Sequence, residues 1–446
     1  MADITNQYIQ VYLTYSELFG DKKPKQEIEA LINNAPFLGL LISLSVMSFA
    51  DEQEKEHIKK EFYDYLIQQA AKNGVHYDPW ELLNDRCVYS SQGILATWKW
   101  LLAYGDKTKE SLTRNTTHGI NIIILLQAAI ADYLYEENSA EDSTIIYEIF
   151  KNSKFNSRDN FFSMLVRTKN IFLDLARQKE LFNPQEYVDF NTDFEMYYGY
   201  PIEDYLVAIN GLMALYLKSY ENGTTLTDLE LVFSKTKNQK LFIEIIEPLC
   251  FSLEEGRHWA LSAIQNPWDF RLFKEKPLLK LEENKILPVS MNYLLDQLYL
   301  SLYWKIRRCY PRQDLNFIRF YGRPFEIYIQ NLLKDATDKA KLKYSFIKEF
   351  PYDRGQRRSP EAFLLLGDKL LVIEGKAKSV TESSAIDGDP DSIEKDFERL
   401  IVDPYIQVIS RLSEIREKIR DPIDLSKIKS YYIIIVNQND FPHLKP

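Results

Sequence analysis

At 446 residues, the chain is too long for one ordinary hydrophobic core and suits roughly two to four domains. Its hydrophobic fraction of 45% can fill sizeable cores, and its 15 glycines argue against a loop-rich or all-β protein. The formal net charge of −10, taken alone, argues against a nucleic-acid partner.

That charge is spread unevenly along the chain. Residues 311–446 hold 23 Lys and Arg against 22 Asp and Glu, so the acidic excess lies before them. A near-neutral C-terminal part leaves a nucleic-acid partner open there. A role in solubility explains the same asymmetry equally well.

The sequence carries no targeting or membrane signal that we recognise. Its first residues lack the basic start and apolar run of a secretory signal. The most apolar stretch, residues 37–50, is interrupted by serines and is shorter than the about 20 residues of a membrane span, so we expect a buried helix there. Three dispersed cysteines and five histidines without ligand spacing suggest neither a disulfide framework nor a zinc site. These features predict a cytoplasmic protein without a membrane partner.

Residues 1–275 are predicted to be a large all-α region, because their apolar residues recur at three- and four-residue steps. The segments with this period are 28–32, 58–71, 94–103, 121–135 and 205–220. Trp98 and Trp100 fall in one of them and are predicted core residues. We expect this region to form a homo-oligomer, to bind a partner protein or to regulate the rest of the chain.

The helical spacing of the apolar residues ends near Pro277. Residues 277–281 and 286–289 flank a turn-like segment, which predicts a hairpin, and residues 291–308 predict one connecting helix. We therefore treat residues 276–310 as a connecting segment. The domain junction is expected between Arg308 and Asn316.

Residues 311–446 are predicted to form a mixed α/β domain, which makes the chain α+β overall. In chain order, the sequence predicts a helix over 323–335, a strand over 343–350, a hairpin of 361–366 and 369–378, an exposed loop over 380–392, two helices, the second opened by Asp403-Pro404, and a strand over 431–436.

The predicted hairpin brings two carboxylates together. Gly367-Asp368 is a two-residue turn signal that fixes the register, so Glu361 should lie across from Glu374. Lys376 should share the face of Glu374, because side chains alternate along a strand. Directly opposed like charges destabilise a sheet by up to about 1 kcal/mol. A Mg²⁺ or Mn²⁺ ion between the carboxylates would offset that repulsion, since hard cations prefer oxygen ligands. The alternative is a polar outer face on an edge hairpin.

These residues carry a resemblance to a known superfamily. Pro360-Glu361, followed after twelve residues by Glu374-Gly375-Lys376, is similar to the signature of the PD-(D/E)XK, or restriction-endonuclease-like, nucleases. Glutamate stands here where aspartate is commoner after the proline. The resemblance covers the C-terminal domain only and implies a restriction-endonuclease-like fold there.

The same resemblance implies functional roles for individual residues. Glu361, Glu374 and Lys376 are implied to be catalytic, with the two glutamates binding the metal ion. Glu326, on the first helix of the domain, is implied to complete the metal site. Gln407 lies where many members carry a glutamine on the helix after the motif, and it is implied to be a catalytic residue.

Three arginines precede the motif. Arg354, Arg357 and Arg358 lie in a glycine-containing loop, where basic side chains could contact backbone phosphates. A solvated turn explains them equally well.

The sequence thus predicts a Mg²⁺- or Mn²⁺-dependent endonuclease that hydrolyses phosphodiester bonds in DNA. Family analogy suggests bacterial defence against phage as its setting. Two alternatives stay open: an RNase of the same fold, and a non-catalytic helical scaffold or binding protein with a degenerate nuclease fold. Incubation with plasmid and with RNA, with and without Mn²⁺, separates them.

Overall fold

The computed structural model describes residues 11–109, 116–134, 161–384 and 389–438. It confirms the predicted α+β class, with 60% helix and 11% strand. Short 3₁₀ or π-helical turns accompany the regular elements and cover Lys169–Leu175, Lys179–Leu181, Glu247–Leu249, Glu282–Asn284, Glu398–Val402 and Leu425–Lys427.

The regular elements are numbered here in chain order. The helices are α1 (Tyr15–Phe19), α2 (Lys25–Asn34), α3 (Phe37–Met47), α4 (Glu52–Lys72), α5 (Trp80–Asp85), α6 (Ser91–Tyr104), α7 (Thr116–Ala131), α8 (Phe161–Thr168), α9 (Phe190–Tyr198), α10 (Ile202–Glu221), α11 (Leu229–Val232), α12 (Gln239–Ile246), α13 (Leu253–Ala263), α14 (Arg271–Glu275), α15 (Met291–Asp296), α16 (Leu300–Arg308), α17 (Asn316–Lys339), α18 (Pro390–Phe397) and α19 (Asp403–Lys418). The strands are β1 (Thr227–Asp228), β2 (Cys250–Ser252), β3 (Leu278–Lys280), β4 (Lys285–Pro288), β5 (Ser345–Lys348), β6 (Pro351–Tyr352), β7 (Arg357–Arg358), β8 (Ala362–Leu366), β9 (Lys369–Lys376) and β10 (Ser430–Asn437).

Contacts between Cα atoms divide the chain into two units. Within the described residues, the first unit takes those up to 134 together with Glu203–Ser301. The second unit takes residues 161 to 202 and 302 to 438. The division therefore falls near Ser301 rather than between Arg308 and Asn316, and it joins residues 161–202 to the C-terminal unit. Independent folding of the two parts stays a prediction.

The first unit is built around buried helices. Helix α6 is buried over most of its circumference, and Trp98 and Trp100 are core residues as predicted, with exposures of 0% and 8%. Helix α3 covers most of the apolar stretch at 37–50 and is buried as expected. Among the described helices, none is both long and apolar enough to span a membrane by itself; α2 and α3, bent by 102°, meet that test only as a pair.

The predicted hairpin is present as β3 and β4, with Leu278 across from Pro288. It belongs to a four-stranded sheet in the order β1-β4-β3-β2. The region over residues 1–275 is helical as predicted, with the short strands β1 and β2 as additions. Strands of two or three residues are too short to show the alternation of apolar and polar residues by which a strand is predicted from sequence. The predicted helix over 291–308 is also divided, into α15 and α16.

Aromatic side chains hold residues 161–202 to the second unit. The rings of Phe172 and Tyr321 stack with centroids 5.6 Å apart, Phe182 meets Phe320 edge-on at 4.9 Å, and Phe190 lies 6.0 Å from Phe317. Phe317, Phe320 and Tyr321 are fully buried. This packing explains why α17 begins at Asn316, seven residues before the predicted start at 323, and runs through Pro324.

The second unit also contains a mixed sheet in the order β10-β9-β8-β5. Strand β9 is central: it pairs antiparallel with β8 and parallel with β10. Helix α19 covers one face, where Leu370 and Val372 join Val408 and Leu412 in one core. The predicted order of a helix, a strand, a hairpin, two helices and a last strand is confirmed, with the small β6–β7 hairpin added between β5 and β8.

Of the predicted exposed loop over 380–392, residues 385–388 lie outside the described residues, and the remainder is only partly exposed. Ser384 and Asp396 are buried, and Asp396 accepts hydrogen bonds from Thr381 and Ser384, while α18 already begins at Pro390. The polar composition that suggested a loop reflects this internal network. The predicted cap at Asp403 is also replaced, because the π-helical turn Glu398–Val402 leads into α19 without a break.

Candidate active site

The turn between β8 and β9 sets the register of the candidate site. Leu366 lies across from Lys369, and Ala362 lies across from Ile373, as the two-residue turn predicts. Gly367 has a φ of 63°, a conformation that glycine adopts at little cost. Glu361 immediately precedes β8, so the confirmed register places it opposite Glu374.

Both glutamates are buried. Glu361 is 6% exposed and Glu374 is 0% exposed. The Gly375 N–H donates a hydrogen bond to Glu361 Oε2 at 2.9 Å. Burial raises the pKa of Glu361, and the charge of Glu374 and a hydrogen bond with its carboxyl raise it further. The pair therefore favours a proton or a cation beside it.

Lys376 lies at the end of β9 and contacts this pair. Its Nζ donates to Glu374 Oε1 at 2.6 Å and to Gln407 Oε1 at 3.0 Å. Gln407 comes from α19, one residue before Val408, which packs under β9. The structure thus brings together four of the residues singled out from the sequence, from a hairpin and a helix distant in the chain.

Arg411 belongs to the same cluster, and sequence analysis missed it. Its Nη1 donates to both oxygens of Glu374, at 3.2 and 3.1 Å. Arg411 follows Gln407 by four residues, so both side chains leave the same side of α19. That spacing is the signal that could have found it. Glu374 is consequently paired with two cations, Lys376 and Arg411.

Helix α17 approaches the other face of β9 at Gly375. A Cβ at that position would lie 2.9 Å from Ile329 Cδ1, so a larger residue there would require the Ile329 side chain to shift. Glu326, one turn earlier on α17, pairs with Arg323 at 3.1 Å and is 24% exposed at its side chain. Burial raises the pKa of Glu326, although Arg323 acts to lower it. Glu326 lies near enough to Glu361 to raise the pKa of that residue, but the ion pair of Glu326 is with Arg323.

The three arginines before the motif lie in and after the turn between β6 and β7. Arg357 pairs with Glu414 of α19, and Arg358 pairs with Glu349 at 2.9 Å. Arg354, with a φ of 56°, is exposed in the turn. Two of the three side chains are thus engaged by carboxylates of the second unit. Arg354 is the one most open to a phosphate.

The donor set can be tested against a divalent ion. Glu361 and Glu374 offer carboxylate oxygens, and Mg²⁺ is often held by one or two carboxylates together with waters and substrate phosphate. Across the described residues, no group of three or more His, Cys, Asp or Glu side chains is arranged to hold a metal ion. Two carboxylates alone would suit only an ion that keeps most of its waters, and Glu374 is already paired with Lys376 and Arg411.

The arrangement can do three things chemically. Two buried carboxylates can hold a hydrated divalent ion, an ammonium group beside them can stabilise a developing negative charge, and a guanidinium group can bind a phosphate. These capacities come from the geometry of the site alone. When the chain is compared with protein-family models, with curated proteins and with solved structures, no match is found.

Proposed function

We propose that this chain is a Mg²⁺- or Mn²⁺-dependent phosphodiesterase, an endonuclease that acts on DNA. One observation carries the proposal: Glu361 and Glu374 are buried across from each other, with Lys376 Nζ 2.6 Å from Glu374. A carboxylate pair excluded from water is costly unless a charge offsets it. The proposal also draws on the restriction-endonuclease-like resemblance of the sequence, Pro360-Glu361 followed by Glu374-Gly375-Lys376.

Each residue has a role in this proposal. Glu361 and Glu374 would hold the ion. When bound, it would supply an activated water and offset charge on the phosphate under attack. Lys376 places its ammonium beside that phosphate or the attacking water, and Gln407 positions Lys376 through the 3.0 Å hydrogen bond. Glu326 supports the site from α17.

The binding of DNA is proposed to rest on backbone phosphates. Arg354 is exposed at the β6–β7 turn, and residues 311–446 are close to neutral in charge, unlike the acidic remainder. Contacts between basic side chains and phosphates give affinity that does not depend on sequence and falls with salt. We expect non-specific binding that weakens between low and physiological salt.

Cleavage of supercoiled plasmid with Mn²⁺ and with EDTA tests the proposal. Lys376→Ala and Glu374→Gln should remove activity. Lys369→Ala is the matched control, because Lys369 is an exposed lysine at the opposite end of the same strand. Equal cleavage by Lys376→Ala, Lys369→Ala and the unaltered protein would reject the assignment. A parallel incubation with RNA separates a DNase from an RNase of the same fold.

A non-catalytic binding protein is the second candidate, and one observation favours it. Both oxygens of Glu374 are hydrogen-bonded by Arg411, and one of them also by Lys376. A site in which these cations permanently replace the metal ion would bind DNA without cutting it. This candidate predicts DNA binding in EDTA, no heat on titration with Mn²⁺ and no cleavage.

For the first unit we propose assembly or regulation, in a cytoplasmic setting such as bacterial defence against phage. This rests on analogy with the resembled family. Light scattering tests the assembly part, since a mass of 52.5 kDa is expected for one chain and a multiple of it for a homo-oligomer.

A further inference from the structure

Arg411 is placed differently from the other cation in the site. Lys376 is held at two points, by Glu374 and by Gln407. The hydrogen bonds of the Arg411 guanidinium both go to the carboxylate of Glu374 and come from a single nitrogen, Nη1. No other described residue accepts a side-chain hydrogen bond from Arg411, so the rest of its planar donor set can serve another acceptor, such as a phosphate.

Its position also gives Arg411 a route to solvent. The Arg411 side chain is 23% exposed, whereas Glu374 is 0% exposed. An arginine side chain has several rotatable bonds, so its guanidinium can leave Glu374 without any movement of α19. The Arg411 backbone is fixed by Val408, Leu412 and Ile415, which pack in the core beneath β9.

The competition for Glu374 is direct. A divalent ion held by Glu361 and Glu374 needs at least one of the two Glu374 oxygens that Arg411 occupies. A divalent ion on Glu374 would repel both cations already paired with it, and Arg411 should leave rather than Lys376, because Gln407 also holds Lys376. Guanidinium groups bind phosphate oxygens through paired hydrogen bonds.

We propose that Arg411 neutralises Glu374 in the metal-free protein and turns to a backbone phosphate of the polynucleotide when a divalent ion binds. The inference rests on the proposed function, because it takes the Glu361–Glu374 pair as the metal site. It assigns Arg411 as a substrate-binding residue, which nothing in the sequence signature indicates.

The proposal predicts opposite effects on the two ligands. Without Arg411 the ion has no competitor, so Mn²⁺ should bind more tightly. The polynucleotide loses a phosphate contact, so it should bind more weakly. A purely structural role for Arg411 would instead weaken both or change neither. The dissociation constants for Mn²⁺ and for the polynucleotide should each change by on the order of tenfold, which corresponds to the loss of one charge-assisted hydrogen bond.

Isothermal titration calorimetry with Mn²⁺ measures the first effect on the full chain. Arg411→Ala should lower the Kd for Mn²⁺ by on the order of tenfold. Arg411→Gln keeps part of the side chain without its charge and should act in the same direction, which provides a second variant should Arg411→Ala fold poorly. Arg416→Ala is the matched control, since Arg416 is an exposed arginine on the same helix.

Fluorescence anisotropy with a labelled DNA duplex measures the second effect. Ca²⁺ replaces Mn²⁺ because its coordination shell is larger and looser, and the duplex is checked for cleavage afterwards. Arg411→Ala and Arg411→Gln should raise the Kd for the duplex by on the order of tenfold, and Arg416→Ala should raise it less.

The outcomes separate the two proposals. If neither the unaltered protein nor Arg411→Ala takes up Mn²⁺, the metal-dependent function falls. If the unaltered protein binds Mn²⁺ and neither Arg411 variant binds it more tightly, the function stands and the competition is refuted. If Mn²⁺ binds more tightly but the duplex binds as before, Arg411 does not contact the substrate and the assignment is overturned.

Discussion

Replacing Glu361 with glutamine tests the carboxylate pair without reference to activity. Glutamine keeps the length of the side chain and can still accept the hydrogen bond from the Gly375 N–H. Its amide can donate to Glu374, where a second ionised carboxylate cannot. The metal-free protein should therefore become more stable.

The size of the effect can be bounded. Glu361 has an ordinary pKa near 4.5 when unfolded, so keeping it protonated in the folded protein at pH 7 costs about 3 kcal/mol. If both carboxylates stay ionised, their opposition costs about 1 kcal/mol. We expect Glu361→Gln to raise the free energy of unfolding by about 1 to 3 kcal/mol at pH 7. For a unit of this size, each kcal/mol moves the melting temperature by about 2 to 4 °C.

The increase in the free energy of unfolding caused by Glu361→Gln should depend on pH in a defined direction. Burial and Glu374 raise the folded-state pKa of Glu361 above its unfolded value. The folded protein then binds one more proton than the unfolded chain between those two values, so its stability falls as the pH rises through that window. Glutamine does not titrate. The advantage of Glu361→Gln should therefore be small at pH 5 and larger at pH 8.

Thermal unfolding in EDTA at both pH values measures this, and a repeat with Mn²⁺ adds the ligand. Mn²⁺ should stabilise the unaltered protein by binding only its folded state, and it should stabilise Glu361→Gln less. Glu417→Gln, at an exposed glutamate on α19, is the control. A mutant that melts lower in EDTA, or that keeps the full Mn²⁺ shift, would show that the two carboxylates do not share an ion.

Three further predictions concern the surroundings of the site. Glu326→Gln should weaken Mn²⁺ binding in calorimetry, and an unchanged affinity would return Glu326 to a structural role. Gly375→Ala should destabilise the protein by about 1 to 3 kcal/mol through overpacking; Ile329→Val removes the contacting Cδ1, so the double mutant should recover part of that loss in denaturant titrations, and strictly additive effects would contradict the contact. Arg307 donates to four carbonyls between residues 310 and 314, so Arg307→Ala should speed tryptic cleavage after Arg312, and an unchanged rate would mean that these bonds do not hold the segment.

The features that could be predicted from the sequence are those fixed by residues close together in the chain. A two-residue turn fixed the pairing of β8 and β9, and strict alternation then placed Glu374 and Lys376 on one face. Residues 370–373 are apolar without alternation, as expected of a strand with neighbours on both sides, and β9 is central in the sheet. Gln407 was singled out by the family resemblance rather than by the chain's own periodicity, and it accepts a hydrogen bond from Lys376.

Sequence reasoning failed where the determinants are distant in the chain. Nothing in residues 161–202 shows that Phe172 and Phe190 pack on α17, more than a hundred residues later. Because of that packing, both the division between the units and the start of α17 lie earlier in the chain than the sequence predicted. Arg411 was missed for a related reason. An arginine on a helix is expected to be exposed to solvent, and only the packing of α19 on β9 shows that its partner is the buried carboxylate of Glu374.

The discontinuous second unit has a consequence for the order in which the protein is made. Residues 161–202 leave the ribosome before α17 exists, because the 203–301 segment of the first unit is translated in between. At roughly 5–20 residues per second, this delay lasts on the order of 5 to 20 s. During that time the rings of Phe172, Phe182 and Phe190 lack the partners that later bury them. Slow translation of the intervening segment should therefore lower the soluble yield, whereas co-expression of a chaperone should raise it.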